Sequence, residues 1–159
     1  ANELAATSAN GTPGIVGVMV GARYVDNNGQ LLFKQFLPAN ATTSGFTEIK
    51  ILVNDDPRQL YKIQGNAALG TFNSGTDGSG FAGAVGKNCS LDFSTSGSTS
   101  TGNSGVSLKI DTNGGTLAAT ETLAMRVIDV VEGTETDNFP EFIVKFNVGV
   151  HAYDNSLGV

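Results

Sequence analysis

Short apolar runs broken by turn-forming residues constrain the fold of this chain more than any other feature. Roughly eight to ten runs rich in β-branched and aromatic residues follow one another, and Gly, Asn, Asp or Pro separates each run from the next. No stretch of about twelve residues has a persuasive helical period. At 159 residues the chain fits one domain. The pattern predicts an all-β, single-domain fold, an antiparallel β-sandwich or small barrel.

The first runs form a predicted hairpin. Residues 15–25 are β-branched and interrupted by glycine, which indicates a buried strand whose glycines let another backbone approach closely. Residues 26–29, Asp-Asn-Asn-Gly, are typical of a hairpin turn. Residues 30–37 are the predicted returning strand, which Pro38 ends.

Residues 46–53 show the alternation of a strand with one solvated face. Ile49, Ile51 and Val53 share one face, and Glu48 and Lys50 share the other. Further strands are predicted at residues 60–64, 81–85, 88–93, 106–110, 122–131 and 141–148.

The chain divides into three segments around this pattern. Residues 1–14 are small and polar and are expected to form a flexible N-terminal arm, residues 15–150 the β domain, and residues 151–159 a C-terminal tail. Residues 94–105 contain only Ser, Thr, Gly and Asn, so we expect an exposed, flexible connection there.

Charge and hydropathy argue against two classes of partner. The net charge is −6 and the basic residues are scattered singly, so no nucleic-acid partner is expected. Mean hydropathy is near zero, and no apolar run is long enough for a transmembrane helix, so no membrane partner is expected either.

Catalytic and metal-binding patterns are sparse. The chain has one histidine, His151, and one cysteine, Cys89. These are too few for a hydrolase triad or a zinc site, and no cofactor-binding pattern is found. Cys89 is predicted to be a small buried residue in a strand. We therefore expect a protein that is not an enzyme and has no cofactor or metal.

Carboxylates leave one remote enzymatic alternative. Asp55 and Asp56 precede a proline and are interpreted as a turn, and the acidic residues 132–138 as a solvated loop. A glycan hydrolase that uses a pair of carboxylates would require two of them in one cleft, about 5–10 Å apart.

The two ends of the chain supply the predicted interaction surface, because they lie outside the strand pattern. The tail holds apolar side chains that could contact a partner, since aromatic residues are enriched at interfaces. The alternative is a tail that packs over its own domain. The candidate interface residues are Asn2, Leu4, Thr12, Pro13, His151, Tyr153, Leu157 and Val159.

Several segments resemble virion structural proteins of tailed bacteriophages. The similar segments are residues 21–26 with 29–33, 53–64, 123–128, 137–139 and 142–147, followed by His151 and the final 157–159. Proteins of this kind tend to be encoded near the major capsid protein. The resemblance spans about residues 14–159 and implies a head decoration, or cement, protein without catalytic residues.

This resemblance implies partners and a location. The expected partners are the major capsid protein and other copies of the chain, as a homotrimer at a three-fold or quasi-three-fold site on the capsid exterior of the virion. The competing interpretation is a bacterial pilin or surface adhesin, which is also rich in β-strands. A complete set of strands within the chain would disfavour a pilin completed by a donated strand.

Overall fold

The computed structural model describes residues 15–69, 81–98, 101–110 and 117–154. Within these ranges the protein is almost entirely antiparallel β-structure of the sandwich type, which confirms the predicted fold class. The strands are Val18–Val25 (β1), Leu31–Lys34 (β2), Thr47–Asn54 (β3), Tyr61–Gln64 (β4), Asn88–Cys89 (β5), Leu91–Asp92 (β6), Ser107–Leu108 (β7), Met125–Val130 (β8) and Glu141–Phe146 (β9).

The first sheet has the order β2-β1-β3. Its hairpin turn forms as predicted, because the Asp26 carboxylate accepts hydrogen bonds from the backbone N–H groups of Asn28 (2.9 Å) and Gln30 (2.8 Å). Gly29 takes the left-handed conformation that the turn requires, with φ +76°. The turn sets the register of the two strands. Val25 pairs with Leu31, and the pairing continues along β1 and β2 until Ala22 lies opposite Lys34.

Two bulges interrupt the pairing of β1 with β3. Between Met19 and Gly21 the extra residue is Val20 on β1. Beyond Arg23 the extra residue lies on β3, where Glu48 has a φ of +50°. The predicted alternation on β3 is confirmed, since Glu48 and Lys50 are exposed while Ile49, Ile51 and Val53 are partly buried.

The second sheet has the order β4-β9-β8-β5 and contributes about half of the buried core cluster. Alternate residues of β9, namely Phe142, Val144 and Phe146, are buried, as the period of two in a strand requires. Strand β8 contributes Met125 and Val127 in register opposite Phe146 and Val144. Burial of each such side chain stabilises the fold by roughly 1.5–3 kcal/mol.

A two-stranded sheet of β6 and β7 completes the sandwich. It joins the second sheet through Gly65, which forms a parallel bridge with Leu108. Leu108 is fully buried, and it and Ile110 belong to the same core cluster as the buried residues of β9.

Buried asparagines hold the loop that precedes β8. The Asn147 side chain donates hydrogen bonds to the carbonyl oxygens of Glu121 (2.9 Å) and Leu123 (3.1 Å). The Asn88 amide donates to the carbonyl oxygen of Thr120 (2.9 Å) and accepts from Arg126 Nε (2.9 Å). These bonds satisfy polar groups that would otherwise be buried without partners.

Two strand predictions need correction. Residues 81–85 were predicted as a strand, but Phe81–Ala84 forms a single helical turn, α1, because a short run containing two alanines has no period that separates helix from strand. The strand predicted at residues 88–93 is divided at Ser90 into β5 and β6, which belong to different sheets. Cys89 is fully buried in β5, as predicted, and its thiol lies 2.8 Å from the Lys109 carbonyl oxygen.

The predicted close approach of another backbone to the glycines of residues 15–25 can be tested at Gly17. Its φ is +154°, and a Cβ there would overlap with the carbonyl oxygen of Asn54. Gly17→Ala should therefore lower the free energy of unfolding by about 2 kcal/mol or more, measured by chemical denaturation.

Gly21→Ala is the matched control. A Cβ at Gly21 would meet the Lys34 carbonyl oxygen at 3.4 Å and Leu52 at 3.5 Å, which are near ordinary contact distances. We expect a change below about 1 kcal/mol. Equal effects of the two variants would contradict the tight approach at Gly17.

Candidate functional site

An apolar groove lies between the two larger sheets. Its volume is about 400 Å³, within the range of ligand pockets, roughly 300–1,000 Å³. One wall is the start of β1, the floor is the second sheet, and the third side is the segment that joins β6 to β7. The lining side chains are mainly apolar: Ile15, Val18, Met19, Phe36, Tyr61, Ile63, Leu91, Phe93, Val106, Met125, Val144 and Phe146, with Gln35, Lys62, Asn103 and Ser104 as polar members.

Aromatic rings connect this groove to the protein surface. The centroids of Tyr61 and Phe146 are 5.5 Å apart, those of Phe146 and His151 are 5.6 Å apart, and those of His151 and Tyr153 are also 5.6 Å apart. These separations are typical of favourable ring contacts. We call this set the aromatic ladder; it begins in the groove and ends at Tyr153, which is 64 % exposed.

His151 is part of the core and not of a surface tail. Its exposure is 1 %, and Ala152 beside it is also buried. Backbone hydrogen bonds run from Ile15 N to Val150 O (3.4 Å) and from Ala152 N to Ile15 O (2.8 Å). The prediction of His151 as an interface residue is therefore wrong for its side chain, and the packed domain continues at least two residues past the expected boundary at 150.

The imidazole of His151 has one satisfied nitrogen. Nδ1 accepts a hydrogen bond from the backbone N–H of Tyr153 at 3.2 Å, so the ring proton lies on Nε2. Nε2 is buried and has no hydrogen-bond partner in the part of the chain that the structure describes.

The other predicted interface residues fall into two groups. Tyr153 is exposed at the end of the aromatic ladder and is available for contact. The remaining predicted positions, Asn2, Leu4, Thr12, Pro13, Leu157 and Val159, lie outside the described residues.

The segment that joins β6 to β7 closes one end of the groove. Its described residues are mostly exposed, as predicted, but hydrogen bonds from Ser98 N to Asn103 O (2.9 Å) and from Gly102 N to Ser98 O (2.8 Å) hold its two described parts together. A side chain at Gly102 would overlap with the ring of Phe36. The close packing of Gly102 on Phe36 thus connects this segment to the first sheet.

A polar network holds the β6 side of the groove in place. The Asn66 amide accepts a hydrogen bond from Ile110 N (2.8 Å) and donates one to Asp92 Oδ2 (2.9 Å). Asp92 Oδ1 accepts from the backbone N–H of Ser94 at 2.8 Å. The backbone N–H and then the hydroxyl of Ser94 hold the pKa of Asp92 below its usual value; Asn66 and the charge of Lys109 act in the same direction, and burial opposes them.

Asp55 and Asp56 form the predicted turn. Asp56 Oδ1 accepts a hydrogen bond from Arg58 N at 2.8 Å, and Asp56 O accepts one from Gln59 N at 3.1 Å. Burial, followed by the charges of Asp56 and Asp55, raises the pKa of the Tyr61 phenol. Tyr61 therefore remains a neutral donor, and its hydroxyl lies 3.4 Å from the Asn54 carbonyl oxygen.

The groove does not contain a carboxylate pair. Its lining includes no Asp or Glu among the described residues. In the same ranges no three His, Cys, Asp or Glu side chains form a group that could bind a metal ion, and no helix has the length and hydrophobicity to cross a bilayer.

A second feature of the surface was not predicted. Residues 15–25 were interpreted as a buried strand, yet Val18 and Val20 are exposed on β1, and Phe33 and Leu52 are exposed on its neighbours. The bulge at Val20 cannot be read from a glycine-interrupted apolar run, so the exposure of Val20 had no signal in the sequence. The sequence carried a partial signal for the groove, since two of its lining residues, Phe36 and Phe93, are aromatic residues that follow the end of a short strand.

Comparison of the chain with protein family models, with characterised proteins and with solved structures finds no match.

The buried position of the segment after Val150 can be tested with adjacent residues. Ala152→Asp places a carboxylate where the side chain is 4 % exposed, so the free energy of unfolding should fall by about 3 kcal/mol or more. Tyr153→Asp, one residue further, should change it by less than about 1 kcal/mol because Tyr153 is exposed. Chemical denaturation of both variants measures the difference, and equal stabilities would place residue 152 in a detachable tail.

The Asp92 network predicts a pH dependence. Because the folded state lowers the pKa of Asp92, its stabilising effect is present above the ordinary value of 3.8 and is lost as pH falls through the lower folded value. Asp92→Asn should reduce stability at pH 7 by about 1 kcal/mol or less, and the gap from wild type should close towards pH 3.

Asp154→Asn is the control for this measurement, since Asp154 is exposed and distant in sequence from the network. Its stability should follow wild type across the same pH range in urea denaturation. A gap between wild type and Asp92→Asn that stays constant from pH 7 to pH 3 would contradict the role of the ionised carboxylate.

Proposed function

We propose that this chain is a non-enzymatic virion structural protein of a tailed bacteriophage. It decorates and stabilises the capsid exterior by binding the major capsid protein, and it acts as a homotrimer. The observation that carries the proposal is the open apolar groove, with the aromatic ladder leading from it to the exposed Tyr153. Such a groove in a chain with only 15 % charged residues favours binding to protein over binding to a charged ligand.

The groove suits a short segment of a protein partner. Apolar side chains of that segment would be removed from water against Met19, Phe36 and Phe146, and each fully buried one would contribute roughly 1.5–3 kcal/mol. Polar groups at Lys62 and Asn103 would remain available for hydrogen bonds at the edge, the arrangement of an apolar centre with a polar rim.

Stabilisation of a capsid follows from mass action. A ligand that binds the assembled shell but not its free subunits shifts the equilibrium towards the shell. A symmetric shell presents many equivalent sites, and a trimer that engages several at once gains effective concentration without any single strong contact.

The open groove is also the observation that keeps a pilin in consideration. A strand donated by another subunit could occupy a groove between two sheets, as in donor-strand complementation. Such a strand needs alternating large apolar residues. Residues 1–14 contain one large aliphatic side chain, Leu4, and are a poor donor, so the capsid interpretation is preferred.

Binding to heads tests the proposal. Heads assembled from the major capsid protein of the proposed phage are mixed with increasing amounts of the purified protein, and occupancy is measured by co-sedimentation. Wild type should saturate the heads and raise the temperature at which they disrupt. Phe93→Ser, in the groove lining, should weaken binding at least about tenfold.

Val85→Ser is the matched control, because Val85 is a similarly exposed apolar residue outside the groove lining. It should bind within about twofold of wild type. Heads that remain undecorated at saturating wild-type protein would overturn the capsid role. Equal binding by Phe93→Ser and Val85→Ser would leave decoration standing and remove the groove as its site.

A further inference from the structure

The outer face of the first sheet carries an exposed apolar patch. Register places Leu31 and Phe33 opposite Val25 and Arg23, and Leu52 opposite Gly21, so these side chains share one face. Val20, the bulged residue beside Gly21, adds to the same region. We call Val20, Leu31, Phe33 and Leu52 the outer-face patch; each is between 48 and 66 % exposed.

This patch is distinct from the groove. None of its four residues lines the groove, and the opposite face of the sheet already packs inward, with Ala22 and Tyr24 buried. Tyr24 stacks on Phe46 with ring centroids 4.9 Å apart. Contiguous exposed apolar side chains of this extent, on the order of a few hundred Å², typically mark an interaction surface.

The charge of the first sheet is opposite to that of the chain. Its three strands contain Arg23, Lys34 and Lys50 against one acid, Glu48, which gives +3 − 1 = +2, whereas the whole chain is −6. Lys34 pairs with Ala22 and so lies on the opposite face, which leaves Arg23 and Lys50 against Glu48, +2 − 1 = +1, on the outer face. Arg23 and Lys50 are paired across β1 and β3, next to the patch. Glu48 Oε2 lies 3.3 Å from Arg23 Nη2 and forms an ion pair with it. Lys50 is a second cation on this face. The outer-face patch therefore suits an acidic partner with an apolar side chain.

The loop between β8 and β9 has the complementary character. Residues 132–139, which we call the Phe139 loop, contain Glu132, Glu135 and Asp137 and no basic residue. Phe139 follows them and is 53 % exposed.

The Phe139 loop is held in shape before any partner binds. The Thr134 hydroxyl donates to Val131 O (2.8 Å) and accepts from Glu141 N (3.0 Å). Gly133 N donates to Glu135 Oε2 at 2.7 Å. A loop that is already ordered loses less entropy on association, so it is suited to docking as a unit.

We propose that the outer-face patch binds the Phe139 loop of a second copy of this chain. Phe139 packs on Phe33 and Leu52, and the acidic side chains of the loop lie against Arg23 and Lys50. The two surfaces differ, so the contact is heterologous and produces a ring when its rotation closes. The inference rests on the self-association in the proposed function, but it does not depend on binding to a capsid.

The test uses the isolated protein and two variants in sedimentation equilibrium, up to about 1 mM protein. Phe33→Asp removes the patch and Phe139→Ser removes the loop anchor; both residues are exposed, so circular dichroism and thermal unfolding should match wild type. Wild type should self-associate, less strongly as salt is raised. Each variant alone should associate at least about tenfold more weakly.

Mixing the two variants identifies the occupant. Phe33→Asp keeps an intact loop and Phe139→Ser keeps an intact patch, so a mixture should form a 1:1 pair that neither forms alone. Val148→Asp, an exposed position outside both surfaces, should associate as wild type does.

Three results would overturn the inference. Monomeric wild type at the highest concentration removes the contact. Undiminished association of Phe139→Ser shows that two patches meet face to face instead. Loss of head occupancy in Phe33→Asp with unchanged self-association assigns the patch to the capsid protein. If the protein is monomeric and still binds heads, the self-association is refuted and the capsid role stands. Failure of this inference is therefore distinguishable from failure of the proposed function.

Discussion

Two backbone hydrogen bonds between Ile15 and residues 150–152 join the first sheet to the main core. Ile15 is buried there and forms a parallel bridge with His151. Together with the packing of Gly102 on Phe36 and the hydrogen bond from the Tyr61 hydroxyl to Asn54 O, this connection holds β1 beside the second sheet, where it forms one wall of the groove.

Buried polar side chains stabilise the fold, whereas the surfaces available to partners, the groove and the outer-face patch, are mainly apolar. The polar side chains of Asn66, Asn88 and Asn147 are occupied with backbone and side-chain partners, and these bonds hold loops against the second sheet. Charged side chains are few, and two of them, Arg126 and Asp92, pair with these amides, at Asn88 and Asn66 respectively.

The sequence predicts the structure correctly where the residues of a single strand or turn determine which side chains are buried and how the backbone bends. The alternation of Ile49, Ile51 and Val53 and the turn at Asp26 are local, and both are confirmed. His151 was misplaced because its burial depends on pairing with Ile15, which is 136 residues away (151 − 15). Val20 was misplaced because a bulge reverses the face of a side chain without any change in composition. The groove likewise depends on how distant strands pack, which no local pattern specifies.

Weak individual surfaces are consistent with a role on a symmetric shell. The outer-face patch has four apolar residues, few compared with the roughly 20–30 residues per partner of a standard stable interface. Each contact alone would exchange rapidly, since association must first offset the lost freedom of two molecules. When a ring of copies is held over repeating capsid sites, that loss is shared among several contacts, so moderate affinity at each becomes firm attachment overall. The proposed role needs no chemical step, because a protein that binds only the assembled shell already favours that state.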